Sequence, residues 1–324
     1  MVDNAYVSIL IPVYNREKCI AKTIESAISQ TYTNIEVIIV DNCSSDGTWA
    51  IIQDYVKKDN RVKAFQNDCN IGPVRNWKRC VDEARGKYGK ILWSDDLISS
   101  DFIEKTLPFM ENNSNIGFVY TGIETFNDDT DEKISIYCPS KTGKYLSRQY
   151  IEGILLTKGK YPVSPGCAIF RMDDLRKNLL VQVSNKIGSD FSMHAIGNDV
   201  LIFLLTAHDY DYFGYIHEKL SFFRVHQDSI TVSSKVYDYT LLYSLAKAYY
   251  VDNCITDISL LKKFNSKLFL QCIRYKKNTI GLTQLSDFYL HNKIYTLSYI
   301  FLVKSLIQSF YSFIKQRFKP VHVT

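Results

Sequence analysis

The sequence predicts an α/β fold, a mostly parallel central sheet flanked by helices and followed by a helical C-terminal extension. Two patterns predict it. The first 120 residues alternate short β-branched runs with longer amphipathic stretches, the rhythm of repeated β-α-β units whose strands pair in parallel through right-handed crossovers. Beyond Val236 the pattern is helical to the end and rich in Tyr and Phe. We therefore expect two parts, residues 1–232 and residues 233–324.

The elements follow in order. Val7–Val13 is the first strand, ended by Pro12-Val13-Tyr14-Asn15. Residues 17–30 form a helix with Ile20, Ile24, Ala27 and Ile28 on one face. Residues 35–40 are a second, almost wholly apolar strand, the pattern of a parallel strand covered on both faces. Asp46-Gly47 opens a helix to about residue 58; residues 62–65 are a short strand, 74–84 a helix and 88–93 a strand. Residues 101–111 are helical and 117–122 another strand. After Phe126 the rhythm changes. A polar loop at 127–133 leads to a strand, then a helix near 146–156. Tyr161-Pro162-Val163-Ser164-Pro165-Gly166 is a turn-rich loop before a strand at 167–171. Residues 199–207 are helical, and 212–216 and 220–225 read as two strands able to pair with each other.

Composition narrows the function classes. An apolar share of 46% and a charged share of 23% are those of an ordinary globular protein. The eight cysteines are scattered singly with no CxxC pair, which suggests neither a zinc site nor a disulfide framework and fits reduced thiols in the cytoplasm. The start Met1-Val2-Asp3-Asn4 is acidic and its apolar run stops at Pro12, unlike an export signal. No segment reaches the ~18 uninterrupted apolar residues of a membrane-spanning helix. The net charge of +5 hides an asymmetry: residues 261–324 hold eleven Lys and Arg against one acid, Asp287, so the tail carries +10 and the rest −5. Nucleic acid would suit such a tail, but no nucleic-acid-binding motif accompanies it.

The chemistry gathers at strand ends, where α/β sheets place ligands. The strand at 88–93 runs into Ser94-Asp95-Asp96. Adjacent carboxylates repel each other; a divalent cation with a preference for hard oxygen ligands, Mg²⁺ or Mn²⁺, removes that conflict. Capping of the next helix is the other role open to either residue. The second strand ends in Asp41-Asn42-Cys43-Ser44-Ser45-Asp46-Gly47, and Asn70-Ile71-Gly72-Pro73-Val74-Arg75-Asn76 lies between. No Gly-rich phosphate loop is present, so a bound nucleotide must be held by side chains and a metal.

In this ordered series the sequence resembles the family 2 glycosyltransferases of GT-A fold, of the kind that build bacterial surface polysaccharide such as O-antigen or capsule. The resemblance covers residues 7 to about 232 through Val7-Ser8-Ile9-Leu10-Ile11-Pro12-Val13-Tyr14-Asn15, Val40-Asp41-Asn42-Cys43-Ser44-Ser45-Asp46-Gly47-Thr48, Asn70-Ile71-Gly72, Asn76, Ala84-Arg85-Gly86 and Asp95-Asp96. It implies that Asp41 holds the nucleobase with Pro12 and Tyr14 beside it. It also places Asn15, Asn70 and Asn76 at the donor, and Asp95 near its ribose and sugar. Asp96 is implied as the ligand of Mn²⁺ or Mg²⁺ on the diphosphate. The chain departs from the family where Trp93 stands in place of a leading acidic residue.

Transfer with inversion requires a base to deprotonate the acceptor hydroxyl. Gly197-Asn198-Asp199-Val200-Leu201 resembles the family's acidic pair at a helix start, with Asp199 at the base position and Asn198 where Glu is frequent. Phe223-Arg224-Val225-His226 and the Ser229 after it also match a family segment, which implies His226 as a metal ligand and Arg224 as a phosphate contact. Pro165-Gly166 falls where relatives place an acceptor loop, and Asp190 is a weaker candidate nearby.

The expected activity is therefore metal-dependent transfer from a nucleoside-diphosphate sugar to a hydroxyl of a lipid-linked glycan. The other class is a non-catalytic nucleotide-sugar-binding relative, with Trp93 and Asn198 as marks of decay. Residues 237–275 are expected to pack, whereas 295–314, aromatic and aliphatic with basic edges, are suited equally to packing and to an anionic membrane surface at the inner face of the cell membrane.

Overall fold

A computed structural model describes residues 5–127, 133–137, 141–225, 236–291 and 295–317. The chain divides into two units, Met1–Val183 with Ser189–Lys235, and Ser184–Gly188 with Val236–Thr324.

Among the described residues the first unit is built on a ten-stranded sheet. Its strands are β1 Val7–Val13, β2 Ile35–Asp41, β3 Val62–Gln66, β4 Tyr88–Ile91, β5 Leu97–Ile98, β6 Ile116–Phe126, β7 Lys133–Tyr137, β8 Gly143–Leu146, β9 Ala168–Arg171 and β10 Tyr212–Arg224. The order is β3-β2-β1-β4-β9-β6-β10-β5, with β7 beside β6 and β8 beside β10. From β3 to β4 all pairing is parallel; β9 then runs antiparallel to both β4 and β6, and β6 and β10 are parallel to each other. The helices are α1 Ile20–Ile28, α2 Thr48–Lys58, α3 Pro73–Glu83, α4 Phe102–Glu111, α5 Ser147–Leu156, α6 Met172–Asn178, α7 Phe191–His194 and α8 Asn198–Asp209.

All seven residues of β1 and all seven of β2 are buried, because helices cover both faces of the sheet there. Val7, Ile9, Ile11 and Val13 point to one side, into a core with Ile20 and Ile24 of α1, Ile52 of α2 and Phe102 and Ile103 of α4. Each such buried side chain contributes about 1.5–3 kcal/mol. On the β6–β10 half a second core is aromatic: Phe118 stacks on Phe213 at 5.6 Å and meets Phe203 of α8 edge-on at 4.9 Å.

Two expectations are corrected. Residues 212–216 and 220–225 do not pair with each other; they form one strand, β10, whose register on β6 shifts between Ile216 and Lys219 and again before Ser221. The exposed residues His217, Glu218 and Lys219 are the bulge, not a hairpin turn. The strand at 88–93 ends at Ile91. Leu92 still donates to the carbonyl of Leu10 (2.8 Å), and the Asp96 amide then closes a turn on the carbonyl of Trp93 (3.0 Å).

In the second unit the helices are Val236–Cys254, Ile258–Arg274 and Tyr299–Arg317. Asp257 caps the middle one by accepting from the amides of Ser259 (2.8 Å) and Leu260 (3.2 Å). The helical pattern expected throughout is interrupted after Arg274. There Asn278 and Asp287 take backbone amides, and a single 3₁₀ turn, Leu285–Asp287, is formed. Among the described residues no helix is long and apolar enough to cross a membrane.

Candidate functional site

The carboxyl ends of β1, β2 and β4 deliver the polar residues to one edge of the sheet. After β1, Asn15 adopts a left-handed conformation (φ 50°), which an Asn tolerates better than most residues. Its amide donates to Ser44 Oγ (2.8 Å), and its Oδ1 accepts from the Ser45 amide (2.9 Å). The next residues continue this contact, Arg16 N to Thr48 Oγ1 (2.7 Å) and Gly47 N to Glu17 Oε2 (2.8 Å). The loops after β1 and β2 are thus zipped together. Beside them Pro12 is buried opposite Val40, whereas Tyr14 is 42% exposed and open to a ligand.

Asp41 is fully buried at the end of β2. Its Oδ2 accepts from the Ser44 amide (3.1 Å) and Gln66 Nε2 (2.8 Å), and its Oδ1 from Ser44 Oγ. These bonds use three of the roughly four acceptor positions of a carboxylate. Asn70, exposed on the neighbouring loop, and Asn76, buried under it, belong to one network. Asn42 Nδ2 donates to Asn70 Oδ1 (2.8 Å), Asn67 Nδ2 to both Asn42 and Asn76 (2.9 Å each), and Asn76 Nδ2 to the carbonyl of Val40 (3.0 Å). At 3% exposure Asn76 shapes the loop from below.

The Asp95-Asp96 turn is gripped from three directions. Thr23 of α1 donates to the carbonyls of Ser94 (3.1 Å) and Asp96 (3.0 Å). Arg224, at the end of β10, gives its amide to Asp96 Oδ1 (3.0 Å) and its Nε to the carbonyl of Asp95 (2.7 Å), with its guanidinium over the Phe126 ring. Arg16, which sequence reasoning passed over, sets its Nε 3.8 Å from Asp95 Oδ2. Asp96 is 5% exposed. Burial, and then the charge of Asp95, push its carboxyl well above the usual carboxylate range, against the opposing pull of the Arg224 amide and Lys90.

Lys90 was also missed, although a lysine inside an apolar strand is a visible signal. It is fully buried, donates to the carbonyls of Ile91 (2.7 Å) and Gly166, and sits over the ring of Phe102. Burial lowers its pKa to about 7. Trp93 acquires a physical account. Its Nε1 donates to Ser164 Oγ (2.9 Å), and its ring lies 4.7 Å from that of Trp77 on α3. Gly166 is pressed against the indole so closely that a Cβ there would meet Nε1 at 2.8 Å. In place of a carboxylate, the chain has a wedge that fastens the 164–166 turn to the end of β4.

Asp199 lies half-buried in the first turn of α8, its Oδ1 accepting from the Val200 amide (2.7 Å), and α8 packs against the Pro165–Cys167 turn. Asn198 is fully buried and donates to the carbonyl of Leu180 (2.9 Å), a role that an ionised Glu could not fill as donor. Asp190 caps α7 by accepting from the amide (3.0 Å) and hydroxyl of Ser192. Between them the Ile196 amide donates to His194 Nδ1 (3.0 Å), which assigns the proton of the neutral ring to Nε2, facing Ser189 Oγ at 3.0 Å. His226 lies outside the described residues.

The edge therefore brings together one cluster of Asn15 and Asp41 and another of Asp95, Asp96, Arg16 and Arg224, joined through residues 14–16. Among the described residues no group of three or more His, Cys, Asp and Glu is placed to hold a metal. A hard cation nevertheless suits the donors present: an all-oxygen pair in which one buried carboxylate has its ionised form disfavoured.

The sequence profile of Glycosyl transferase family 2 matches residues 8–179. An uncharacterised glycosyltransferase of Haemophilus influenzae is 37% identical over 141 residues, 44% of this chain and 56% of that protein. A Bacillus subtilis protein named as the teichuronic acid biosynthesis glycosyltransferase TuaG is 37% identical over 123 residues, 38% of this chain and 48% of that protein. The chain thus spans about half the length of the curated relatives it matches. In fold it resembles S. aureus TarS 1–349 in complex with UDP-GlcNAc, with a TM-score of 0.62 at 17% identity over 86% of this chain and 75% of that one. With more than half of its residues matched by the family profile on this sheet, the chain belongs to glycosyl transferase family 2.

Proposed function

We propose that the chain is an inverting, metal-dependent glycosyltransferase that moves a sugar from a nucleoside-diphosphate sugar to a hydroxyl of a lipid-linked glycan in bacterial surface polysaccharide synthesis. The observation that carries this reading is the Asp95-Asp96 turn: a deeply buried carboxylate beside a second one, gripped by α1 and β10 at the ligand edge of the sheet. The residues 1–232 are assigned as the catalytic domain and 233–324 as its helical extension.

In this reading Asp41, Pro12, Tyr14 and Asn15 form the nucleobase end of the donor site, with Asn70 and Asn76 supporting the loop beside it. Asp95 faces the ribose and sugar. Asp96, with His226, would hold Mn²⁺ or Mg²⁺, which when bound supplies positive charge to the departing diphosphate. Arg224 steadies the turn, its amide on the Asp96 carboxylate and its Nε on the Asp95 carbonyl, and it would supply positive charge to the donor phosphate. Asp199 takes the proton of the attacking acceptor hydroxyl. Complexes of TarS with UDP-GlcNAc and with UDP support a uridine nucleotide as the first donor class to test, and TuaG supports a surface-polymer context.

The helix Tyr299–Arg317 supports contact with the inner face of the cell membrane. Tyr299 (78%), Ile300 (73%), Val303, Leu306, Ile307 and Tyr311 are exposed along one helical face, and its only charged residues are Lys304, Lys315 and Arg317.

The experiment is a hydrolysis and binding assay with a panel of nucleotide sugars and Mn²⁺. Wild type is expected to release nucleoside diphosphate, and Asp96→Ala to abolish the release. Once an acceptor is found, Asp199→Asn is expected to lower kcat by about 10²–10⁴ while donor affinity holds. Donor binding without turnover in the wild type would instead favour the non-catalytic relative.

A further inference from the structure

A cavity of about 470 Å³ lies between β8, α5 and residues 158–161, lined by residues that none of the steps above uses. Its walls are aromatic. Tyr145 stacks on Phe213 at 5.7 Å with their planes 21° apart, and Tyr161 stands edge-on to Phe213 at 85°. Phe213 is the buried floor, while Tyr145 and Tyr161 are half-buried and present ring surface to the opening. The Tyr161 ring is seated against Gly153 of α5, where a Cβ would meet its Cε2 at 2.2 Å, so the wall depends on that glycine. Around the mouth stand Gln149, Glu152, Lys158 and Lys160, an amide, a carboxylate and two ammonium groups.

The chemistry selects among ligand classes. Walls nearly at right angles leave a notch rather than the parallel slot that sandwiches a flat base. The charged mouth disfavours an acyl chain. A pyranose fits each feature, since its C–H face packs on tyrosine rings while its hydroxyls meet donors and acceptors at the mouth.

The cavity is also wired to the carboxylate turn. Residues 157–166 are pinned by Tyr150 Oη to the carbonyl of Pro162 (2.6 Å), by Trp93 to Ser164 and by Lys90 to Gly166. Tyr161 and Ser164 are three residues apart, at most about 10 Å of chain. A glycan with one end beside Ser164 thus has at most about 10 Å to span to the Tyr161 wall.

We propose that this cavity is a second carbohydrate subsite, which holds a pyranose of the acceptor glycan remote from the reacting hydroxyl. The identity of that glycan as acceptor rests on the function proposed above; the sugar binding does not. The test is saturation-transfer NMR on the full chain with cellobiose, di-N-acetylchitobiose and digalacturonic acid as probes, without nucleotide. At least one is expected to receive saturation on its ring C–H protons. The transfer should fall about five-fold or more in Tyr161→Leu and in Gln149→Ala, and persist in Asp96→Asn. Gln149 is exposed, so that variant keeps the fold even where Tyr161→Leu does not. No transfer from any probe, or transfer untouched by Gln149→Ala and by a folded Tyr161→Leu, overturns the subsite. Nucleotide-sugar hydrolysis on the same preparations separates the two readings, because it fails if the proposed function is wrong and survives if only the subsite is.

Discussion

Gly166→Ala is a one-methyl probe of the wedge that replaces the family's leading carboxylate. The new Cβ would lie 2.8 Å from Trp93 Nε1, 2.9 Å from its Cδ1 and 3.2 Å from Ser164 Oγ, all closer than ordinary contact. The indole is held between Trp77 and the 164–166 turn, so it does not swing away freely. Overpacking of this kind costs about 1–3 kcal/mol, and loss of the indole–Ser164 hydrogen bond adds about 1 kcal/mol. The sum, about 2–4 kcal/mol, lowers the urea midpoint by about 1 M for an m-value near 3 kcal/mol/M. All three tryptophans, Trp49, Trp77 and Trp93, fall in the first unit, so intrinsic fluorescence reads that unit without interference from the second. The specific control is a double-mutant cycle with Trp93→Leu, which removes the atoms the methyl strikes and should recover about 0.5–3 kcal/mol as coupling. A midpoint within about 0.2 M of wild type, or strict additivity in the cycle, would refute the close packing on which the reasoning depends.

Other perturbations test the charges. Because Asp96 has a raised folded pKa, the apo protein should lose stability as pH rises from the ordinary carboxylate range through that value. Asp96→Asn keeps an acceptor for the Arg224 amide without the charge. It should unfold at higher urea than apo wild type at neutral pH, yet lose the stabilisation that Mn²⁺ gives wild type, about 2.7 kcal/mol at a hundred times Kd. A variant less stable than apo wild type would contradict this. Lys90, depressed to about 7, has the opposite sign: its buried charge penalises the fold below pH 7 and is relieved as pH rises towards the unfolded lysine range. Wild type should therefore gain up to about 1.4 kcal/mol per pH unit between pH 7 and 9 from this group, a slope that Lys90→Met abolishes in fluorescence-monitored urea titrations. For the last helix, Leu306→Glu with Ile307→Glu should cut co-flotation with phosphatidylglycerol vesicles at least ten-fold; equal flotation would remove the membrane reading.

The sequence revealed much of the fold through apolar patterning. Val7–Val13 and Ile35–Asp41 are read correctly because burial on both faces leaves a continuous apolar run. The two-residue strand Leu97–Ile98 and the four-residue Gly143–Leu146 carry no such run; they exist because β10 offers them partners. The unity of β10 was hidden by exposed His217, Glu218 and Lys219, which look like a turn until β6 is seen to pair across them. At the site, Asp95 and Asp96 were legible as a local motif. Lys90 was visible as a lysine in an apolar strand, but its role and that of Arg16 were not, because they rest on partners distant in sequence, 76 residues away for Gly166. Trp93 was legible as an anomaly but not as a wedge, since neither Trp77 nor Ser164 is its neighbour in the chain.

The antiparallel strand β9 has a consequence for how the molecule comes into being. It is inserted between β4 and β6 and, among the described residues, joins the β3–β2–β1–β4 half of the sheet to the β6–β10 half. On the ribosome the zipped loops of residues 14–48 can form as soon as β1 and β2 have emerged. The carboxylate turn cannot mature then. Its Lys90 waits for Gly166, β4 keeps an open edge until residues 168–171 arrive, and Arg224 closes on Asp96 later still. Such long loops are slow to close. The Asn15–Asp41 end of the site thus belongs to the early half of synthesis, and its Asp95–Asp96 end is completed only when nearly the whole first unit has been made.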